Sequence, residues 1–162
     1  MPNNVTNKLT FDPLHADTVF KICCPHNGMD FNTLIPQPLQ VYQGNISSED
    51  ETDFTCNWKT WNLENWGTKW NAYDSICTSV YGDDAAIIFN TAWSIPYPVI
   101  VAFANRFEIP FEHRYFDEGY NFWGIETWTN ESGVMRRSNK RYNKPEDKET
   151  LSKELKNQTE IE

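Results

Sequence analysis

The first part of the chain alternates apolar and polar positions and then changes to a longer period. Val5 to Phe11 alternates loosely and contains β-branched residues, which is typical of a strand. Asp12 and Pro13 follow as a helix N-cap and a first helical residue. The apolar positions after them predict a first helix that ends before Pro25.

Residues 25–56 show no sustained periodicity and predict an irregular insertion. Only a short strand or turn at Phe31–Ile35 is expected to anchor it. Beyond the insertion, periodicity resumes and Gly67 suits a left-handed helix end. The elements predicted there are a helix over Asp53–Trp66, strands over Ala72–Tyr81 and Ala85–Thr91, a helix capped by Ser94, and strands over Phe111–Asp117 and Tyr120–Thr129.

This order of elements predicts an α+β fold. Without the inserted helix it is a split β-α-β pattern, which implies an antiparallel sheet with helices packed on one face. The predicted domain covers residues 1–134, with residues 25–56 as its insertion. Aromatic residues almost vanish after that, so residues 135–162 are expected to be a mobile charged tail.

Charge narrows the classes of partner. The 162-residue chain has a formal net charge of −9, which divides into −11 for residues 1–135 and +2 for residues 136–162. An acidic body repels phosphate backbones, so no nucleic acid is expected as a partner. No apolar run reaches the length of a spanning helix and the N-terminus is polar, so we expect no membrane association and a cytoplasmic location.

The cysteines and histidines do not form a known metal or catalytic motif. Cys23, Cys24 and His26 are close in sequence, but the adjacent cysteines and the distant Cys56 and Cys77 do not match zinc spacings. Buried thiols are expected instead, with no metal and no cofactor. Nucleophile and phosphate-loop motifs are also absent from the sequence, so a non-enzymatic role is favoured.

The seven tryptophans exceed what an aliphatic core of this size needs. Indole and phenol rings stack on flat ligands, and isolated cations bind anionic groups. Two other interpretations stay open: the rings belong to the core, with Lys69 and Arg114 paired to nearby acids, or they form a subunit interface. The candidate ligand-binding residues are Trp66, Thr68, Lys69, Trp70, Asn71, Trp93, Arg114, Tyr120 and Trp123.

Several blocks resemble the YubB-like ferredoxin-like family of bacteriophages and plasmids. They are Met1-Pro2-Asn3 with Asn7 and Leu9, the run from Asn65 to Asp74, Phe89 to Pro98, and Tyr115 to Gly124. Members often begin P-N-W-C, whereas Asn4 and Val5 stand at the last two of those places here. The resemblance covers roughly residues 1–130 and implies a ferredoxin-like sheet and a mobile-element setting, with no established reaction.

The favoured hypothesis is a phage or mobile-element binding protein that sequesters a nucleotide-like small molecule. The aromatic pocket would lie near Trp66–Trp70 and be closed by the insertion. Its ligand could be a host defence signal, with phosphate met by Lys69 and Arg114. One alternative is an acidic inhibitor of a host defence protein, and another is a nucleotide phosphoesterase using His113. Sheet edges and surplus aromatics also make a homodimer a reasonable expectation.

Overall fold

An antiparallel sheet forms the centre of the computed structural model, which describes residues 2–46, 56–80 and 82–156. Within these ranges the sheet has six strands: β1 Asn4–Phe11, β2 Tyr73–Thr78, β3 Ala85–Ala92, β4 Phe111–Asp117, β5 Trp123–Glu131 and β6 Val134–Tyr142. The helices are α1 Ala16–Cys23, α2 Trp58–Asn65, α3 Tyr97–Phe107 and α4 Pro145–Leu155.

The strand order is β2-β3-β1-β4-β5-β6. Strand β1 lies between β3 and β4 and pairs antiparallel with both, so that Leu9 is opposite Ile87 on one side and His113 on the other. Helix α1 follows β1 and helix α3 connects β3 to β4. The four strands β4-β1-β3-β2 with these two helices form the predicted split β-α-β unit. The predicted α+β, ferredoxin-like fold is therefore confirmed, and β5 and β6 extend its sheet.

Helices α1 and α3 cover one face of the sheet. Their buried residues, including Val19 and Phe103, join Leu9, Phe89 and Phe111 in one apolar cluster. Strand residues alternate between faces, so every second side chain of β1 and β4 points to this side of the sheet, and Leu9, Phe11 and Phe111 enter the cluster. We call this the first face.

Helix α4 covers the second face. Leu151 and Leu155 are fully buried against Phe116, with Trp123 and Ile125 beside them. Glu154 of the same helix accepts from Lys8 at 3.0 Å and from Arg114 at 2.7 Å. The helix is therefore attached by two leucines in its C-terminal half and by the ion pairs of Glu154.

The structure corrects the expectation of a mobile tail over residues 135–162. Ser132 and Gly133 both have positive φ and turn the chain from β5 into β6, while α4 follows after Tyr142. Residues 135–156 are polar because they form an edge strand and a surface helix, and each of these elements buries only part of its side chains. Two leucines in α4 suffice to attach it. Residues 157–162 lie outside the described ranges.

Several element boundaries also differ from their predictions. Helix α2 begins at Trp58, after its N-cap Asn57, whose side chain accepts from the Thr60 amide; residues 53–55 lie outside the described part. Helix α3 begins after Pro96 rather than Ser94, whose hydroxyl donates to the Gly67 carbonyl instead of capping a helix. Strand β2 ends at Thr78 and β5 starts at Trp123, each shorter at that end than predicted. The Phe31–Thr33 anchor is a 3₁₀ turn.

Gly67 ends α2 in the predicted left-handed conformation, with φ of 77°. Its amide donates to the Asn62 carbonyl at 3.1 Å. A Cβ at this position would also lie 2.7 Å from Pro98 Cδ. Both backbone conformation and space therefore require glycine between Trp66 and Thr68.

We predict that Leu151→Ala destabilises the whole domain, because it removes a fully buried side chain between α4 and the sheet. The free energy of unfolding should fall by about 2–5 kcal/mol in chemical denaturation. Leu14→Ala is the matched control, since Leu14 is 82% exposed and its truncation should change the value by less than about 0.5 kcal/mol. Equal midpoints for the two variants would show that α4 does not pack on the second face.

Candidate functional site

A groove of about 380 Å³ opens beside the insertion and α2. Its described lining contains only aromatic and amide side chains. They come from the insertion, from α2 and from the segment leading to β2. We call it the tryptophan–amide groove; its lining residues are Asn32, Gln37, Gln43, Trp58, Asn62, Trp66, Trp70 and Asn71.

The three indoles of the groove have different roles. Trp66 is 3% exposed and donates to the Ile35 carbonyl at 2.9 Å, so it forms the floor. Trp58 donates to the Gly44 carbonyl at 2.8 Å and ties α2 to the insertion. Trp70 is 37% exposed, with the Lys69 ammonium 4.9 Å from its ring centroid. Trp70 therefore presents the most accessible ring of the three.

Three amides form a directional relay across the groove. Asn62 donates to the Lys69 carbonyl, Gln37 donates to Asn62 Oδ1, and Gln43 donates to Gln37 Oε1, all at 2.8–2.9 Å. A carbonyl can only accept, so the Lys69 end determines the orientation of Asn62, and each amide determines the next. The relay ends on Gln43 Oε1, an acceptor at the outer end.

A second network orients the remaining amides. Asn71 Oδ1 accepts from the backbone amides of Phe31 and Ala72, which leaves its Nδ2 to donate to Asp30. Asn32 donates to Asp30 through both its backbone and its side chain. Partial burial alone would raise the pKa of Asp30, but these hydrogen bonds outweigh it and hold that pKa below its ordinary value.

These contacts leave hydrogen-bonding capacity for a ligand. Among the described contacts, the side-chain nitrogens of Asn32, Gln37, Asn62 and Asn71 each donate one hydrogen bond, whereas an amide nitrogen carries two hydrogens. Gln43 Oε1 adds an acceptor. An oriented set of neutral donors and acceptors beside an accessible ring suits a flat polar molecule.

Part of the predicted ligand set is at this groove. Trp66, Trp70 and Asn71 line it, and Lys69 covers one side of Trp70. Thr68 is fully buried, and its hydroxyl donates to the Ala92 carbonyl at 2.9 Å, so it attaches this segment to the end of β3. Trp93, 53% exposed, follows β3 and does not line the groove.

Arg114, Tyr120 and Trp123 are elsewhere, which corrects the expectation of a single site. They lie on the second face, where Arg114 pairs with Glu112 and Glu154. Tyr120 accepts from Lys156, and Trp123 donates to the Lys144 carbonyl. The reason is strand alternation together with the unpredicted α4, which brings partners to these side chains. Arg114 therefore cannot meet a phosphate beside Lys69.

Sequence reasoning missed five residues of the lining. Asn62 and Trp58 are on α2, and three others come from the insertion. The available signal was the concentration of Asn and Gln between residues 27 and 45, which composition alone attributes to a surface loop. The unrecognised residues are Asn32, Gln37, Gln43, Trp58 and Asn62.

His113 is in the sheet rather than at an accessible site. It is fully buried, and its Nε2 lies 2.9 Å from Asn7 Oδ1. Asn7 Nδ2 donates to Val5 and Thr91, so its Oδ1 accepts from the histidine. His113 Nδ1 has no partner in the described residues. Burial lowers the pKa of His113 to about 3, which makes it a poor proton donor at neutral pH.

The described residues contain neither a metal-binding cluster nor a membrane-spanning helix. All four cysteines are free thiols. Across residues 2–46, 56–80 and 82–156, no three His, Cys, Asp or Glu side chains are grouped to hold a metal ion. The helices within those ranges are too short or too polar to cross a bilayer.

Comparison with known proteins identifies the family. Residues 65–156, more than half of the chain, match the family model described as the ferredoxin-like domain in Api92-like protein. The chain belongs to this family. The match runs from the end of α2 to the end of α4, so the family domain includes both β6 and the helix on the second face. Neither curated proteins nor solved structures give a significant match.

We predict that His113 makes this Api92-like domain sensitive to acid. The unfolded chain protonates the histidine below its ordinary pKa of 6.5, whereas the folded protein resists protonation until about pH 3. Stability contributed by the neutral ring is thus complete above pH 6.5 and is lost as the pH falls toward 3. The free energy of unfolding should fall in this window by at most about 1.4 kcal/mol per pH unit from this group.

The measurement compares denaturation of wild type and His113→Asn between pH 3.5 and 7.5. The raised pKa of Glu126 acts in the opposite direction, but both proteins retain that residue. The stability difference between them should shrink as the pH falls. Parallel curves for the two proteins would contradict the assignment.

Proposed function

We propose that this protein is a non-catalytic binding protein that holds a nucleotide-like small molecule, base first, in the tryptophan–amide groove. The observation that carries the proposal is the lining itself: indoles and oriented amides, with no charged side chain among its described members. Stacking on an indole gives affinity for any base, because every base has a π-face. The amides supply paired donors and acceptors for the edge of the base.

The relay geometry supports a base whose ring stacks on Trp70 and whose edge faces the amides. Amide side chains are effective base readers when their orientation is fixed in advance, because the ligand then incurs no cost for ordering them. In the groove, the Lys69 carbonyl orients one network, and the amides of Phe31 and Ala72 orient the other. Backbone groups of the protein itself therefore hold both networks in place.

Lys69 is the cation placed to meet a phosphate. It lies over Trp70 and is partly exposed, with no ion pair among the described contacts. Arg114 is excluded from that role by its position on the second face. A ligand with one phosphate, or a nucleoside, therefore fits the charge of the groove better than a polyphosphate does.

The biological setting we propose is a phage or plasmid accessory protein in the host cytoplasm. It rests on the resemblance of the Asn65–Asp74 and Phe89–Pro98 blocks to the YubB-like proteins of such elements. In that setting, a protein that binds without turnover would act by sequestering a nucleotide signal of host defence. The buried, neutral His113 favours binding over hydrolysis.

We predict that Trp70→Ala weakens binding of the best nucleoside or mononucleotide by about 5- to 150-fold. This is the range expected when one base loses its stacking partner. The measurement is native mass spectrometry of the protein from cells to identify a co-purifying molecule, followed by isothermal titration with a panel of nucleosides, mononucleotides and simple sugars.

Two variants sharpen the test. Trp93→Ala removes an even more exposed indole outside the groove, and it should bind as wild type does. Lys69→Ala should weaken binding of mononucleotides but not of the corresponding nucleosides. A protein that carries no co-purifying molecule and binds no member of the panel would overturn the proposal and favour the acidic protein-inhibitor hypothesis. Tighter binding of a sugar than of any nucleoside or mononucleotide would support the groove as a binding site but contradict the nucleotide-like ligand.

A further inference from the structure

A second pocket lies on the first face of the sheet, between the start of α3 and strands β5 and β6. Its volume is about 330 Å³. It shares no lining residue with the tryptophan–amide groove. We call it the β5–β6 pocket; it is lined by Ile95, Tyr97, Tyr115, Glu126, Arg137 and Lys140.

Glu126 is the unusual member of this lining. Its side chain is 1% exposed, and Oε1 accepts from Arg137 at 3.3 Å. That distance is longer than the 2.7–2.9 Å typical of a charge-assisted hydrogen bond. Oε2 is buried and has no partner among the described residues. A buried carboxylate oxygen without a donor is costly, and a ligand that supplied one would recover that cost.

Two buried neighbours of Glu126 are held away from this oxygen or already occupied. Its partner across β4 is His113, whose single N–H is already directed at Asn7. Burial lowers the pKa of His113 to about 3, so the ring brings no positive charge to Glu126 at neutral pH. Tyr115, also buried, is held above Gly124, where a Cβ would lie 2.3 Å from its hydroxyl oxygen. Neither His113 nor Tyr115 therefore donates to Glu126 Oε2.

The opposite charge is at the mouth of the pocket. Arg137 lies over the Tyr97 ring at 5.0 Å. Lys140 is exposed, is paired in register with Glu126, and makes no ion pair among the described contacts. Helix α3 begins at Tyr97, so the partial positive charge of its N-terminus adds to that of the two cations.

We propose that the β5–β6 pocket binds a small zwitterion of the amino-acid class. The ligand ammonium donates to Glu126 Oε2, its carboxylate lies between Arg137 and Lys140, and its side chain packs on Tyr97. A simple anion would leave Glu126 unsatisfied, and a simple cation would be repelled by two neighbouring cations. Only a ligand that carries both charges completes both parts of the lining.

The test uses the full-length protein and free amino acids. A thermal-shift panel of the twenty amino acids selects the best one for isothermal titration. We expect its N-acetyl and carboxamide derivatives, which each lack one charge, to bind at least tenfold more weakly. Glu126→Gln and Lys140→Ala should also weaken binding, the first by tenfold or more. Trp70→Ala should leave amino-acid binding unchanged, which separates this site from the proposed nucleotide groove.

The same hairpin supplies the matched control. Arg136 and Glu131 form an exposed ion pair at 3.0 Å outside the pocket, so Arg136→Ala and Glu131→Gln should bind as wild type does. Lys140→Ala, at an exposed position, keeps the test valid if Glu126→Gln does not fold. Failure of all twenty amino acids to bind would overturn the proposal. Derivatives that bind as tightly as the parent amino acid, or unchanged binding in both pocket variants, would also overturn it.

Discussion

The pairing of β1 with both β3 and β4 is the constraint on which the rest of the structure depends. It places Leu9 at the centre of the first face and fixes where β3 ends, at Ala92. From that end, the Ala92 carbonyl accepts from Thr68, and the Ser94 hydroxyl donates to Gly67. The segment that carries Trp66 and Trp70 is thus attached directly to the central sheet, so the pairing of β1 determines where the groove lies.

Polar networks, rather than apolar contacts, shape the groove above Trp66. A buried amide is costly unless its partners are in place, and Asn62 at 4% exposure has both of its ends satisfied. The direction of the relay follows from one backbone carbonyl that can only accept. The network is anchored on backbone groups, yet it retains amide N–H groups that a ligand can use, as the proposed binding role requires.

The cations on the two faces of the sheet differ in what they contact. On the second face, Lys8 and Arg114 are occupied by Glu154 and serve to dock α4. On the first face, Arg137 and Lys140 surround a carboxylate that is only half satisfied. Cations that look equivalent in an acidic sequence therefore differ in availability. Alternation along each strand decides which of them a ligand can reach.

Local patterns were sufficient to predict the order of the central elements, their split β-α-β arrangement and the left-handed Gly67. Each depends on neighbours in sequence, through hydrophobic period, caps and turn residues. Tertiary structure decided the rest. Leu151 and Leu155 are buried only because they pack on Phe116 of the second face. Arg114 lies away from the predicted site because strand alternation directs its side chain to that face. Asn62 and Gln37, 25 residues apart, form one relay only after folding, since a long-range hydrogen bond leaves no local pattern in the sequence.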